Sequence, residues 1–216
     1  MNFHPCEFFN IDGFAHAKLF DGIEAAWDAL GAHLERYIAE HLRPGICGRV
    51  MDGAFLTSGA IFIGEGTVVE PGALIKGPAI IGRNCEVRHA AYIRENVIVG
   101  DGCVVGHATE LKACVLLDHV EASHFAYVGD SILGNHVMLG AGTKLANFKF
   151  DGSEIVLRDG ERRIPTGRTK LGSIVGDGSK FGCNSVANPG TVVGRGCRIA
   201  GASAVSGVLP AGSRSG

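Results

Sequence analysis

Lys76, Arg94 and Lys112 stand eighteen residues apart, and each directly follows an aliphatic residue. In a chain that coils every eighteen residues such positions stack, and stacked like charges repel. An anionic ligand relieves that repulsion, and phosphate suits arginine and lysine together. A second group of cations, Arg162, Arg163, Arg168 and Lys170, lies in a stretch that reads either as a solvated loop or as an anion-contacting flap. Histidines offer proton chemistry, since imidazole titrates near neutral pH. His89 and His107 share the eighteen-residue spacing, while His119 and His124 are five apart. A lone histidine on such a surface also reads as structural. Glu70 over Arg88 reads as a stacked pair of opposite charges.

The eighteen-residue spacing comes from a shorter one. Aliphatic residues recur every six positions at Ile63, Val69, Ile75, Ile81, Val87, Ile93, Val99, Val105, Leu111 and Leu117. Four residues after most of them sits a small one, such as Thr67, Ala73, Ala79, Cys85, Ala91 and Cys103. Between the two come corner residues, including Gly66, Gly72, Asn84, Asn96 and Gly102. The frame returns at Val175, Phe181, Ala187, Val193, Ile199 and Val205. A short strand and a corner every six residues make one side of a triangular prism, and three hexads close one coil. The pattern predicts an all-β solenoid, a parallel β-helix, with Cys85 and Cys103 as small inward fillers on adjacent coils.

The rhythm fails in two places, and interruptions of a solenoid fall on its surface. After Leu117 the six-residue step falters, with Ser123 in an aliphatic slot and His124 beside it. After Thr143 the chain leaves the pattern, giving an insert over 145–170. Within it, Glu154–Arg158, Asp159-Gly160 and Glu161–Ile164 predict a β-hairpin with a type I′ turn. Residues 13–43 carry a helical stripe of Leu19, Ile23, Trp27, Leu30, Leu34, Ile38 and Leu42, opened by a capping box at Asp21 and Glu24 and closed by Pro44-Gly45. The expected organisation is an N-terminal helical segment over 1–50 and a β-helix over 51–216.

Composition excludes several classes. Glycine numbers 33 of 216 residues, but with only 7 prolines the chain is not collagen-like. A hydrophobic fraction of 46% and a net charge of −2 argue against disorder and against nucleic acid as partner. No apolar run approaches the length of a membrane span, so no membrane partner is expected. The start, MNFHPCEFF, lacks the order of a secretory signal. Seven cysteines without a C-x-x-C pattern predict reduced thiols and a cytoplasmic protein.

Between Arg94 and Gly152 the residues carry a family likeness. His124-Phe-Ala-Tyr127-Val-Gly-Asp130, Leu139-Gly-Ala-Gly-Thr143, Asn147 and Asp151-Gly152 resemble the acetyltransferase half of the bifunctional enzyme that makes UDP-N-acetylglucosamine. Thr166-Gly-Arg168, Ile174-Val-Gly-Asp-Gly178 and Asn188-Pro-Gly190 are similar to the C-terminal domains of archaeal-type sugar-1-phosphate nucleotidylyltransferase/acyltransferases. The resemblance covers roughly residues 61–210.

The resemblance implies a left-handed β-helix of hexapeptide repeats and an acyltransferase. It makes His124 the catalytic base, Tyr127 a sugar contact, and Arg94 and Lys112 the grip on a sugar phosphate. It places Asn147 near the acetyl thioester and puts Cys183 and Gly201 against coenzyme A. Acetyl-CoA is the implied acyl donor, a sugar phosphate or nucleotide-sugar the acceptor, and a homotrimer the implied assembly; no metal is expected for the chemistry. Met138 and Phe148 depart from the pattern, where the uridyl enzyme has asparagine and tyrosine, and the nucleotidyltransferase domain is absent from this chain. Two rival readings remain: a γ-carbonic-anhydrase-like zinc enzyme, in which Lys112 would replace a histidine ligand, and a β-helix scaffold without chemistry.

Overall fold

The computed structural model describes residues 2–57 and 60–215. Three parallel sheets of nine, nine and eight strands wrap around one axis, with a separate two-stranded hairpin. The hexads set the register. Ile63, Ile81 and Val99 align in the first sheet. Val69, Val87 and Val105 align in the second, and Ile75, Ile93 and Leu111 in the third. All nine are fully buried inside the prism. The small residues lock the corners: Thr67 Oγ1 donates to the Gly82 carbonyl at 2.7 Å and accepts the Cys85 N–H at 2.9 Å. Cys85 and Cys103 both point inward and are buried.

Coil stacking demands close backbone approach at one corner. A Cβ on Gly82 would lie 2.7 Å from the backbone of Gly100, closer than real side chains come. Beside it a ladder of side-chain oxygens ties successive coils. Asp101, Asp118, Asn135 and Asp177 each accept a backbone N–H from the preceding coil at 2.7–3.1 Å. These bonds satisfy corner amides that no strand partner reaches.

The irregular steps differ from the expected ones. The first short step runs from Leu111 to Leu116, where Ala113 (φ 47°) turns the corner with one residue fewer. Leu116, not Leu117, therefore pairs with Val99 and points inward. Ala122 fills the next inward slot opposite Val105, so Ser123 is not in an aliphatic position. A second short step runs from Val128 to Leu133, which pairs with Leu116 in the first sheet. Glu70 does not pair with Arg88: its carboxylate accepts the His89 N–H at 2.7 Å, while Arg88 bonds Glu86 at 2.8 Å.

The N-terminal segment is not one helix. It comprises 3₁₀ turns at Pro5–Glu7, Ala17–Phe20 and Ala26–Ala29, followed by an α-helix at Ala32–His41. Gly22 (φ 70°) and Gly31 (φ 61°) interrupt the run in left-handed conformations that continue no helix. Asp21 closes the Ala17–Phe20 turn instead of opening a helix. The apolar stripe nevertheless holds, and all seven of its residues are buried.

What the stripe buries is a second core. The first sheet is apolar on both faces, and its outward residues Ile80, Ile98, Val115, Ile132, Ile174 and Val192 pack beneath the N-terminal segment and the insert. Full burial of each such side chain contributes roughly 1.5–3 kcal/mol. Strands buried on both faces read as continuous aliphatic runs, as in Ala79–Ile81 and Val97–Val99. The solenoid strands begin at Gly45–Ile46 and Arg49–Val50, ahead of residue 51.

Leu145 still pairs with Val128 in the third sheet, and the chain rejoins the solenoid through the Leu171 N–H on the Asn147 carbonyl at 3.0 Å. Between them, Val156–Asp159 and Arg162–Pro165 form the expected antiparallel hairpin. Its tip is Gly160-Glu161, with positive φ recorded at Gly160 alone, which is the type II′ pattern and not type I′.

Candidate active site

The first face is covered, so the chemistry-bearing side chains concentrate on the third sheet and its two edges. His124 ends the strand Glu121–His124 at the corner between the second and third sheets. It is exposed, and among the described residues no hydrogen bond or ion pair engages its ring. Its carbonyl accepts the Gly142 N–H at 3.0 Å, and the Ala141 and Cys183 carbonyls accept from Asn184 and Ala202 in the same way at 2.8 Å. His124, Ala141, Cys183 and Gly201 thus form one column down this corner. Exposed Phe125 and Met138 flank it.

Arg94, Lys112 and Asn147 line the opposite edge. Arg94 follows Ile93, and Lys112 lies opposite Gly129 in the ladder. The stacked cations exist as spacing foretold, yet carboxylates intervene. Arg94 Nη1 donates to Glu110 at 3.1 Å, and Lys112 Nζ to Asp130 at 3.2 Å. Glu95 lies 3.9 Å from Lys76 Nζ and 3.8 Å from Arg94 Nε. These partners, which the eighteen-residue spacing does not predict, relieve the column's repulsion within the chain. Glu110 stands two residues before Lys112 and Asp130 eighteen after it, spacings that hexad counting does not translate into contact.

Tyr127 joins the two edges. It lies on the outer surface of the third sheet, opposite Glu110 and Lys144. Its hydroxyl donates to Asn147 Oδ1 at 3.4 Å, and Asn147 Nδ2 donates in turn to Asp130. Burial holds the Tyr127 phenol above its ordinary pKa, so it stays a neutral donor. Gly129 makes room for this network: a Cβ there would meet Tyr127 Oη at 2.6 Å and Asn147 Nδ2 at 2.8 Å.

The two edges are one strand-length apart. His124 and Gly129 are five residues apart, at most about 17 Å along an extended chain. The long Arg94 side chain narrows this gap by folding back to Glu110, over the face. A small ligand with a nucleophile at one end and an anion at the other therefore spans the third face.

The insert's cations divide. Arg168 is structural, donating to the Leu30 carbonyl at 3.1 Å, and Arg162 lies 3.6 Å from Asp159. Lys170 bridges Phe148. Of the four cations named from sequence, Arg163 alone lines the 870 Å³ cleft beneath the insert, where Arg158 joins it.

His89 and His107 stack, with ring centroids 5.5 Å apart, while His119 stacks on His136 at a different corner. Among the described residues no group of three or more His, Cys, Asp or Glu side chains is placed to hold a metal. No described helix is long and apolar enough to cross a membrane.

This fold and surface define a class: the left-handed β-helix of hexapeptide repeats. The UDP-N-acetylglucosamine acyltransferase of Campylobacter jejuni shares it, with a TM-score of 0.54 and 20% identity over 74% of this chain and 68% of that one. In sequence the chain is similar to the bifunctional protein GlmU of Methanococcus aeolicus, 32% identical over 185 residues, covering 86% of this chain and 44% of that protein. The corresponding protein of Methanocaldococcus jannaschii is 34% identical over 80% of this chain and 41% of its own length. A bifunctional sugar-1-phosphate nucleotidylyltransferase/acetyltransferase of Sulfurisphaera tokodaii is 38% identical over 90 residues, 42% of this chain and 22% of that protein. The family model of the GMPPB C-terminal domain matches residues 75–162. The chain thus spans less than half the length of the three bifunctional relatives, and the resemblance read from its motifs holds.

Proposed function

We propose that the protein transfers an acyl group, acetyl from acetyl-CoA, to the amine or hydroxyl of an amino-sugar phosphate or nucleotide-linked sugar. The observation that carries this reading is the unengaged His124 imidazole at one edge of an open face whose other edge holds Arg94 and Lys112. The similarity to sugar-modifying bifunctional relatives supports it.

In this mechanism the acceptor lies across the third sheet, with its phosphate against Arg94 and Lys112 and its ring over Tyr127. Binding at the anion end then orients the reacting amine. His124 removes a proton as the acceptor's lone pair attacks the thioester carbonyl. The tetrahedral oxyanion collapses, the C–S bond breaks, and the thiolate recovers the proton from the imidazolium. Donors at the site stabilise the oxyanion. Asn147 stands at the far edge beside Arg94 and Lys112, where it holds the Tyr127 hydroxyl under the acceptor. Cys183 and Gly201, below His124 in its column, line the donor's path. We further propose a homotrimer, in which a second copy covers exposed Phe125 and Met138 and excludes water from the reaction.

Thiol release from acetyl-CoA, measured with a panel of amino-sugar phosphates, tests this. His124→Ala is expected to lower kcat by about 10²–10⁴ while leaving acceptor binding intact. Absence of turnover with every acceptor, in a wild-type protein that binds none of them, would sink the proposal in favour of a scaffold.

A further inference from the structure

The cleft beneath the insert has an asymmetry of charge that the acyl-transfer site does not use. Its lining includes Phe148, Lys149, Phe150, Arg158, Arg163 and Asn188-Pro189. Its hairpin has a fixed orientation. Ile155 and Leu157 are buried in the second core, so their neighbour Arg158 faces outward. Arg163 stands directly opposite Arg158 in the antiparallel ladder. Like charges in that position repel, and hairpins ordinarily avoid them.

The cleft's carboxylates do not relieve the pair. Asp151 accepts the Ser153 N–H at 3.0 Å, and Glu154 accepts the Gly167 N–H at 2.7 Å. Lys149 is held by Ser153 and the Glu154 carbonyl. Among the described residues neither the Arg158 nor the Arg163 guanidinium has a hydrogen bond or an ion pair. In the same lining, Phe150 is fully exposed and Phe148 about half exposed, at 49%. Two paired guanidiniums offer forked donors to phosphate oxygens, and free aromatic faces offer a stacking surface to a base.

The geometry points to a nucleotide subsite: the cleft holds a nucleoside diphosphate, its phosphates on Arg158 and Arg163 and its base against Phe148 or Phe150. The inference rests on the acyl-transfer reading for the ligand's source, a nucleotide carried by the acceptor, since in that reading the donor's path runs down the other edge past Cys183 and Gly201. The cleft begins at Ala146 and Phe148, adjoining Asn147, so a ligand bound there reaches the third face.

Calorimetric titration of the full chain with ADP, adenosine and pyrophosphate tests the subsite without turnover. ADP and pyrophosphate are expected to bind, and Arg163→Glu to weaken ADP at least tenfold. The same substitution places opposite charges across the hairpin, so its Tm is expected to hold or rise, separating lost binding from lost fold. Phe150→Ala is expected to weaken ADP more than pyrophosphate. Coenzyme A displacing ADP assigns the site to the donor, whereas UDP or GDP binding more tightly than ADP assigns it to the acceptor; both support the subsite. Unchanged ADP affinity in Arg163→Glu, or no nucleotide binding at millimolar concentration, overturns it. A chain that binds ADP through Arg163 yet releases no thiol leaves the subsite standing and defeats acyl transfer. Turnover whose acceptor KM ignores Arg163→Glu, with no ADP binding, does the reverse.

Discussion

Gly129 shows how one missing methyl group organises the candidate site. Its backbone is ordinary strand, so alanine there costs no left-handed strain. The atoms an added Cβ would meet, Tyr127 Oη at 2.6 Å and Asn147 Nδ2 at 2.8 Å, belong to side chains that can move. Gly129→Ala should therefore fold with little loss of stability while pushing Tyr127 and Asn147 out of line. The expected result is a Tm within a few degrees of wild type and kcat/KM lower by at least about tenfold, a shift of 1.4 kcal/mol. A fall in kcat/KM matched by an equal collapse of Tm would mean that the residue serves the fold and not the site. Legibility also divides at this scale. His124, Arg94 and Lys112 could be read from motif and spacing, because a solenoid converts eighteen residues of sequence into one rung of space. Glu110 and Asp130 could not, because which carboxylate reaches which cation depends on side-chain reach across a face, and hexad counting carries no such information.

Among the elements, the N-terminal segment shows where a periodic pattern misleads. Leu19 through Leu42 recur at helical spacing, yet glycines at 22 and 31 split the run into 3₁₀ turns and one ten-residue helix. The spacing reported which residues face inward, and burial agrees, but the path between them is set by local backbone freedom. The second core was also partly written in the sequence, as strands apolar at successive positions, although counting inward positions alone overlooks it. Where this layer meets the prism, His16 is half-buried near Phe14 and Tyr37, its Nδ1 3.2 Å from the Tyr37 hydroxyl. Burial lowers its pKa below the ordinary 6.5, His41 lowers it further, and Asp101 opposes both. The folded protein then binds fewer protons than the unfolded chain between that lowered value and about 6.5. Stability is accordingly full above pH 6.5 and is lost as pH falls through the window. Urea midpoints measured from pH 7.5 to 5 should drop for wild type and drop less for His16→Gln. Parallel curves for the two proteins would assign the acid loss to other groups.

The whole molecule is a prism with one face sealed, and that restricts how copies can meet. The N-terminal layer and the hairpin occupy the first sheet, leaving the second and third sheets to face a neighbour. Exposed Phe125 sits at the corner between those two sheets beside His124, and exposed Met138 lies on the second sheet opposite Glu121. A closed three-fold ring uses that corner once per copy. Sedimentation equilibrium is expected to return three times the 22.5 kDa chain mass. Such a ring leaves open whether one acceptor is served by one chain or two, and the geometry favours one. Arg94 folds back over the same face that Tyr127 occupies, toward the edge that carries His124 on the same chain. Mixed assemblies decide the matter. When His124→Ala chains are unfolded, combined with Arg94→Met chains and refolded together, each copy lacks one end of its own site. No activity above that of the separate variants is expected, because no chain retains both ends. Recovery toward one quarter of wild-type activity in an equal mixture would show that His124 of one copy works with Arg94 of another, and the acceptor would then lie between chains instead of across one.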